Sequence, residues 1–131
     1  MSEQVQRNMQ VLRHWFDTLN KRDITEIRKA WEEIYTEDYV LHDPHEPGFS
    51  TGFEDSWKGV LSFVENYSEL RVNVLDMFGA EDKVATAAIL ELVDASTQEK
   101  TKLMALVISR FEDGKIAEEW QIVQPIADPT V

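Results

Sequence analysis

Apolar residues in this chain recur at helical spacing up to about residue 64 and at strand spacing from Leu70 onward. That change of period limits the fold more than any single motif, because a period of 3.6 and a period of 2 cannot serve the same element. Val5, Met9, Leu12, Phe16 and Leu19 form one stripe, which Asn20-Lys21-Arg22 ends. Asp23 and Glu26 make a capping-box pattern before the stripe Ile24, Ile27, Trp31 and Ile34. Thr51 and Glu54 repeat that pattern before Phe53, Trp57, Val60 or Leu61, and Val64. Between the second and third helices, Tyr39-Val40-Leu41-His42 reads as a short strand stopped by Asp43-Pro44, and residues 45–50 read as a loop.

In the second half, Val72 and Val74 alternate, and then Leu75 and Met77 continue on the other parity. The slip predicts a β-bulge that bends the sheet. Residues 79–83 form a turn, residues 84–93 a strand, and residues 94–100 a polar connection. Strands over 101–111 and 115–123 follow, joined at Asp113-Gly114, a pair suited to a tight hairpin because both central residues need positive φ. On the closing strand Glu119, Gln121 and Val123 share one face, and Glu118, Trp120 and Ile122 the other. Pro125 and Pro129 predict an end to pairing and a loose tail over 125–131.

Three helices followed by an antiparallel meander predict an α+β fold in a single domain over 1–131, with its core at about 3–124. A strongly bent, mostly antiparallel sheet cannot lie flat against three helices, so a cone-like roll with an apolar pocket is expected on its concave side. On the other side, Met104, Leu106, Ile108, Trp120 and Ile122 are too apolar to be left in water. A second copy of the chain is the simplest cover, which predicts a homodimer through the convex face. The 25 acidic and 13 basic residues leave a net charge of −12, which argues against nucleic acid and anionic membranes as partners. With no cysteine, disulfides and thiol chemistry are excluded. No signal-like N-terminus and no apolar run of about 18 residues is present, so a cytoplasmic protein is expected.

The segments Leu19-Asn20-Lys21-Arg22-Asp23, Tyr39-Val40-Leu41-His42-Asp43-Pro44 and Arg110-Phe111-Glu112-Asp113-Gly114-Lys115-Ile116, with Glu119-Trp120, resemble the SnoaL-like polyketide cyclases. These lie within the superfamily of nuclear transport factor two and ketosteroid isomerase. The resemblance spans about residues 5–124 and implies the cone-shaped roll. It leaves function open, since such a fold hosts isomerases, cyclases, dehydratases, epoxide hydrolases and binding modules. In the cyclases an Asp acid/base typically follows the closing-strand Trp, and this chain has Gln121 there, which cannot exchange a proton. Asp43 matches the general base of the isomerases, while Trp15 and Val107 stand where their oxyanion-hole Tyr and Asp are found.

Each candidate has a plainer reading beside the functional one. Asp43 before Pro44 is a turn former or a general base desolvated by aromatic neighbours. His42, one residue away, points to the opposite face of its strand and so competes with Asp43 for the pocket. His42, Asp43 and His45 crowd together like metal ligands, but His14 lies off its helix's apolar stripe and supplies no further ligand, so no metal is expected. Glu119 is either a displaced acid or a residue paired to a cation or reaching water. Trp15, Trp31, Phe53 and Trp57 are core aromatics or walls of the ligand pocket. Ala85, Ala87 and Ala88 leave room for a ligand or let a helix approach, and Glu91 is an acid on an otherwise apolar parity near a strand end.

Two main functions follow from these residues. One is an enzyme of the isomerase, cyclase or lyase type acting without a cofactor on an apolar carbonyl compound. In it Asp43, with His42, removes an α-proton, and Gln121 and the Trp15 indole bond the enolate oxygen. The other is a non-catalytic small-ligand-binding protein of the same fold, with a scaffold acting through the convex face as a third reading.

Overall fold

Ser2 opens the first helix by accepting the Val5 N–H at 3.1 Å, and the computed structural model describes residues 2–127 from that cap onward. The elements run α1 (Glu3–Lys21), α2 (Ile24–Ile34), β1 (Tyr35–His42), β2 (Ser50–Gly52), α3 (Phe53–Asn66), β3 (Tyr67–Ala80), β4 (Lys83–Asp94), β5 (Lys100–Glu112) and β6 (Lys115–Pro125). The fold is α+β: three helices cover one face of a six-stranded sheet ordered β2-β1-β6-β5-β4-β3. All neighbours are antiparallel except β1 and β6, which run parallel. Residues 128–131, including Pro129, lie outside the described residues, and Pro125 itself still pairs with Leu103.

Asp23 caps α2 by accepting the Glu26 N–H at 3.2 Å, as the capping-box pattern predicts. The second such pattern does not cap α3. Gly52 is its N-cap with no side-chain bond, and the Thr51 hydroxyl pairs with the Ser56 hydroxyl at 3.0 Å because Thr51 belongs to β2. β1 starts at Tyr35, four residues before the expected strand, because α2 passes into it without a loop and its pairing with β6 shifts register between Tyr35 and Val40. The buried stripe of α1 is Val5, Asn8, Leu12, Trp15 and Thr18, rotated from the apolar reading so that Phe16 and Leu19 are left half-buried.

The predicted bulge is present: pairing of β3 with β4 shifts between Val74 and Asp76, leaving Leu75 turned out to solvent. On the inner face Leu70, Val72, Met77, Val84, Ala88, Leu92, Ala105, Phe111 and Ile116 are buried. On the outer face Phe78, Leu106, Ile108, Trp120 and Ile122 are exposed, and Glu91 lies there 3.9 Å from Lys102. Asp113 and Gly114 both have positive φ, 49° and 81°, as the tight hairpin requires. Pairing on this hairpin then skips one residue, from Phe111↔Ile116 to Arg110↔Glu118, so Ile116 and Ala117 are both buried.

Asn20 and Arg22, read from the sequence as a helix end, also fasten α1 to the sheet. Asn20 Oδ1 accepts the Val72 N–H at 2.7 Å. The Arg22 guanidinium donates to the carbonyls of Val64, Tyr67 and Ser68, where α3 passes directly into β3. Arg22→Ala leaves these three carbonyls without that donor and is expected to cost about 2 kcal/mol, since bonds to a charged group are worth more than neutral ones. Urea denaturation followed by circular dichroism measures this, and an unchanged midpoint contradicts it.

Candidate functional site

A cavity of about 510 Å³ lies between the helices and the inner face of the sheet, a size that suits a small organic ligand. Its walls are mostly apolar, and His45, Glu46 and Asp55 are exposed residues at its edge. Trp31 anchors the aromatic wall: Tyr35 stacks on it at 4.1 Å, with Tyr39 at 5.6 Å and Trp15 at 5.7 Å. Trp15 and Trp31 face the cavity. Phe53 and Trp57 do not. They pack 5.4 and 6.1 Å from Trp31, outside the cavity lining, with the Arg28 guanidinium lying over both rings.

The polar groups of the cavity sit on adjacent rows across the sheet. Thr86, Val107 and Gln121 pair in one row, and the Gln121 amide donates to Asp43 Oδ2 at 2.9 Å. The other oxygen of Asp43 accepts the His45 backbone N–H at 2.9 Å. Asp43 is thus both the turn former and the cavity carboxylate, at 6% exposure. Val107 faces the cavity as an apolar surface.

In the next row Val84, Ser109, Glu119 and Leu41 are partners. Glu119 lines the cavity and is buried. Tyr39 Oη donates to its Oε1 at 2.8 Å, and Ser109 Oγ to its Oε2 at 2.5 Å. The expectation that Glu119 pairs with a cation or reaches water is therefore wrong: its partners are two buried hydroxyls. Burial raises its pKa above the ordinary carboxyl value, against the lowering effect of the Ser109 and Tyr39 hydrogen bonds. The same burial pushes the Tyr35 and Tyr39 phenols up, and the Glu119 charge adds to it.

His42 faces the other side of the sheet. Its Nε2 meets Glu118 Oε2 at 2.7 Å and its Nδ1 meets Ser50 Oγ at 2.8 Å, while its ring stacks between Phe49 and Trp120. The pairing of His42 with Asp43 as joint catalytic residues is corrected by this alternation. Glu118 also accepts from Arg110, and the His42 bond followed by the Arg110 bond lowers its pKa. His14 is exposed on α1. Among the described residues no group of three or more His, Asp or Glu side chains is placed to hold a metal ion, and no helix is long and apolar enough to cross a membrane.

Tyr39, Ser109 and Thr86 escaped the sequence reading as site residues. Tyr39 and Ser109 take their role from Glu119 on another strand, and the Thr86 hydroxyl is buried on the cavity wall without a hydrogen-bond partner among the described residues.

Residues 12–119 match the SnoaL-like domain. The chain belongs to this SnoaL-like family. Among solved structures it is similar to IdmH of Streptomyces antibioticus, a candidate polyketide cyclase, at 24% identity over 88% of this chain and 91% of that one, with a TM-score of 0.74. A candidate SnoaL-like polyketide cyclase from Jannaschia sp. CCS1 superposes with a TM-score of 0.82 at 16% identity, covering 94% and 89%. AclR of Streptomyces galilaeus, a candidate hydroxylase, gives 0.78 at 17% identity, covering 92% and 80%. At these identities the likeness establishes the fold. Among curated proteins no sequence matches significantly.

The raised pKa of Glu119 fixes the sign of a stability effect. The folded state keeps the proton where the unfolded chain has released it, so this contribution is complete below the ordinary value of 4.5 and is lost as pH rises through the folded-state value. Glu119→Gln removes that loss. Thermal melts across pH should show the variant gaining on the native protein as pH rises, and a constant gap refutes the assignment.

Proposed function

We propose that this SnoaL-like protein is a small-molecule enzyme of the cyclase or isomerase type that removes an α-proton from an apolar carbonyl compound. The observation that carries this reading is the buried Asp43 carboxylate on the wall of a mostly apolar cavity, held in place by donors from His45 and Gln121. Asp43 is the base. Its Oδ2 keeps a lone pair beyond the one that Gln121 occupies, available to take a proton from a ligand carbon. Gln121 is a positioning residue, fixing the carboxylate from the neighbouring strand. Trp15 and Trp31 give the ligand an aromatic surface, which suits a polyketide-like aromatic ketone or another flat apolar ketone. The chemistry uses side chains alone and calls for no cofactor.

The second reading is a non-catalytic binding protein, favoured by the apolar Val107 and the non-titrating Gln121 on the cavity wall. Asp43→Asn separates the two. Against a panel of apolar ketones screened by thermal shift, a ligand at a hundred times its Kd should stabilise the protein by about 2.7 kcal/mol, or several degrees. The base reading expects the variant to keep that shift and lose turnover by roughly 10²–10⁴-fold. Binding without turnover in the native protein favours the second reading, and full turnover by the variant eliminates the first.

The exposed outer face fits a second copy of the chain. Leu106, Ile108, Trp120 and Ile122 line an apolar hollow with the small Ala85 and Ala87, a surface that a second copy related by a two-fold axis covers. Sedimentation should find a dimer that Ile108→Glu converts to a folded monomer. A native protein that sediments as a monomer at micromolar concentration rules the dimer out.

A further inference from the structure

We propose that Glu119 is the proton donor of this cavity: a carboxylic acid that hydrogen-bonds and then protonates the oxygen of a bound ketone while Asp43 removes the α-proton. The inference rests on the reading of Asp43 as base and adds the group that receives the developing charge. It stands on placement. Glu119 is two residues before Gln121 on the same face of β6, and Leu41, its partner on β1, is two residues before Asp43. Two residues along a strand span about 7 Å. A near-attack contact of about 3.2 Å at one end, an acid–carbonyl hydrogen bond of about 2.7 Å at the other and the ketone atoms between them exceed that span in a straight line, so one α-carbon with its carbonyl reaches both carboxyl groups in a bent arrangement.

The surroundings of the two acids differ in kind. Asp43 accepts from two amide N–H groups, which do not give up their protons, and its Oδ1 also lies 3.4 Å from the exposed His45 ring. Glu119 touches only hydroxyls, Tyr39 on one oxygen and Ser109 on the other, and a hydroxyl rotates between donor and acceptor. While Glu119 holds its proton, those hydroxyls tolerate the neutral acid. Once the proton has gone to the ligand, both donate to the carboxylate left behind. The step balances as follows: the C–H bond breaks to Asp43, its electron pair forms the C=C bond, the carbonyl π pair moves to oxygen, and the Glu119 O–H bond breaks as the enol O–H forms. Return of the proton from Asp43 to the same or another carbon, and of the enol proton to Glu119, restores both acids.

The groups facing Glu119 are few. β1 presents Tyr35 and Tyr39, β5 presents Ser109, and the helices present the uncharged Trp15 and Trp31. Asp43 stands one row away, and His45, Glu46 and Asp55 lie at the exposed edge. Burial keeps both tyrosines neutral well past the range where a carboxyl titrates, and the exposed His45 ring lies 3.4 Å from Asp43 Oδ1, so an alkaline loss reports Glu119 where Glu119→Gln removes it and His45→Gln does not.

The test uses 2-tetralone, a flat apolar ketone with acidic α-protons, as probe. Two readouts are taken: α-deuterium uptake in D2O by NMR, and the infrared carbonyl stretch of the bound, carbon-13-labelled ketone. In the native protein the stretch should move to lower frequency on binding, and uptake should fall as pH rises. Glu119→Gln should bind within about threefold of native, lose at least tenfold in uptake and flatten the alkaline limb; most of the frequency shift should be lost. Glu119→Asp should restore part of the limb. If Glu119→Gln keeps native uptake, limb and stretch while Asp43→Asn is inactive, Glu119 is a structural residue and the proposal is overturned, with the base reading intact. If Asp43→Asn exchanges as fast as native, or the bound probe never exchanges, the base reading fails, and the stretch still decides whether Glu119 donates to a ligand oxygen.

Discussion

The parallel pairing of β1 with β6 is the constraint on which the site depends. It sets Leu41 beside Glu119 and His42 beside Trp120, and so carries Asp43 to within hydrogen-bond distance of Gln121 across 78 residues of chain. Parallel neighbours need a long connection, and here that connection is most of the protein: β2, α3 and the strands β3 to β5 all lie between the two. The closing strand comes back beside the first only after the rest of the sheet has formed its curve. A slip of one residue in this pairing turns the opposing side chains out of the cavity, so the chemistry of the site depends on a single register.

Much of the fold was legible in the sequence because local rules and global fold agree there. The helical stripes, the Asp23 cap, the bulge near Leu75 and the Asp113-Gly114 turn are all written in spacing of a few residues. The failures share a cause. Thr51 carries the right residue for a cap but was recruited into β2, where its hydroxyl found Ser56. The first strand began early because Tyr35, directly after α2, pairs with Ile116 on β6. Phe53 and Trp57 have the spacing of cavity residues, yet Arg28 draws their faces to the outside of the aromatic cluster. In each case a tertiary contact overrode a local preference.

The site was half legible for a similar reason. Parity alone places Glu119 and Gln121 on one face of β6, and Asp43 and His42 on opposite faces at the end of β1. Counting back from the hairpin as a regular two-residue turn pairs Glu119 with Ile108. The skipped residue at Ala117 moves that partner to Ser109. A buried carboxyl facing isoleucine and one facing a serine hydroxyl are different chemical objects, and one irregularity in the ladder decides between them. The contrast between Asp43, among amide donors, and Glu119, among hydroxyls, thus arises from strand geometry as much as from residue identity.

The turn after Asp43 has a mechanical consequence. One carboxylate oxygen is tied to the backbone of His45 in the loop at the cavity edge, the other to Gln121 in the sheet, and the same residue's N–H is bonded to the carbonyl of Phe49 across that loop. At the loop tip Phe49 holds a left-handed backbone angle, φ 71°, beside Gly48 at 75°, a conformation that is costly for phenylalanine and free for glycine. Loop position and carboxylate orientation are therefore coupled: a displacement of His45 pulls on one oxygen of Asp43 while Gln121 holds the other.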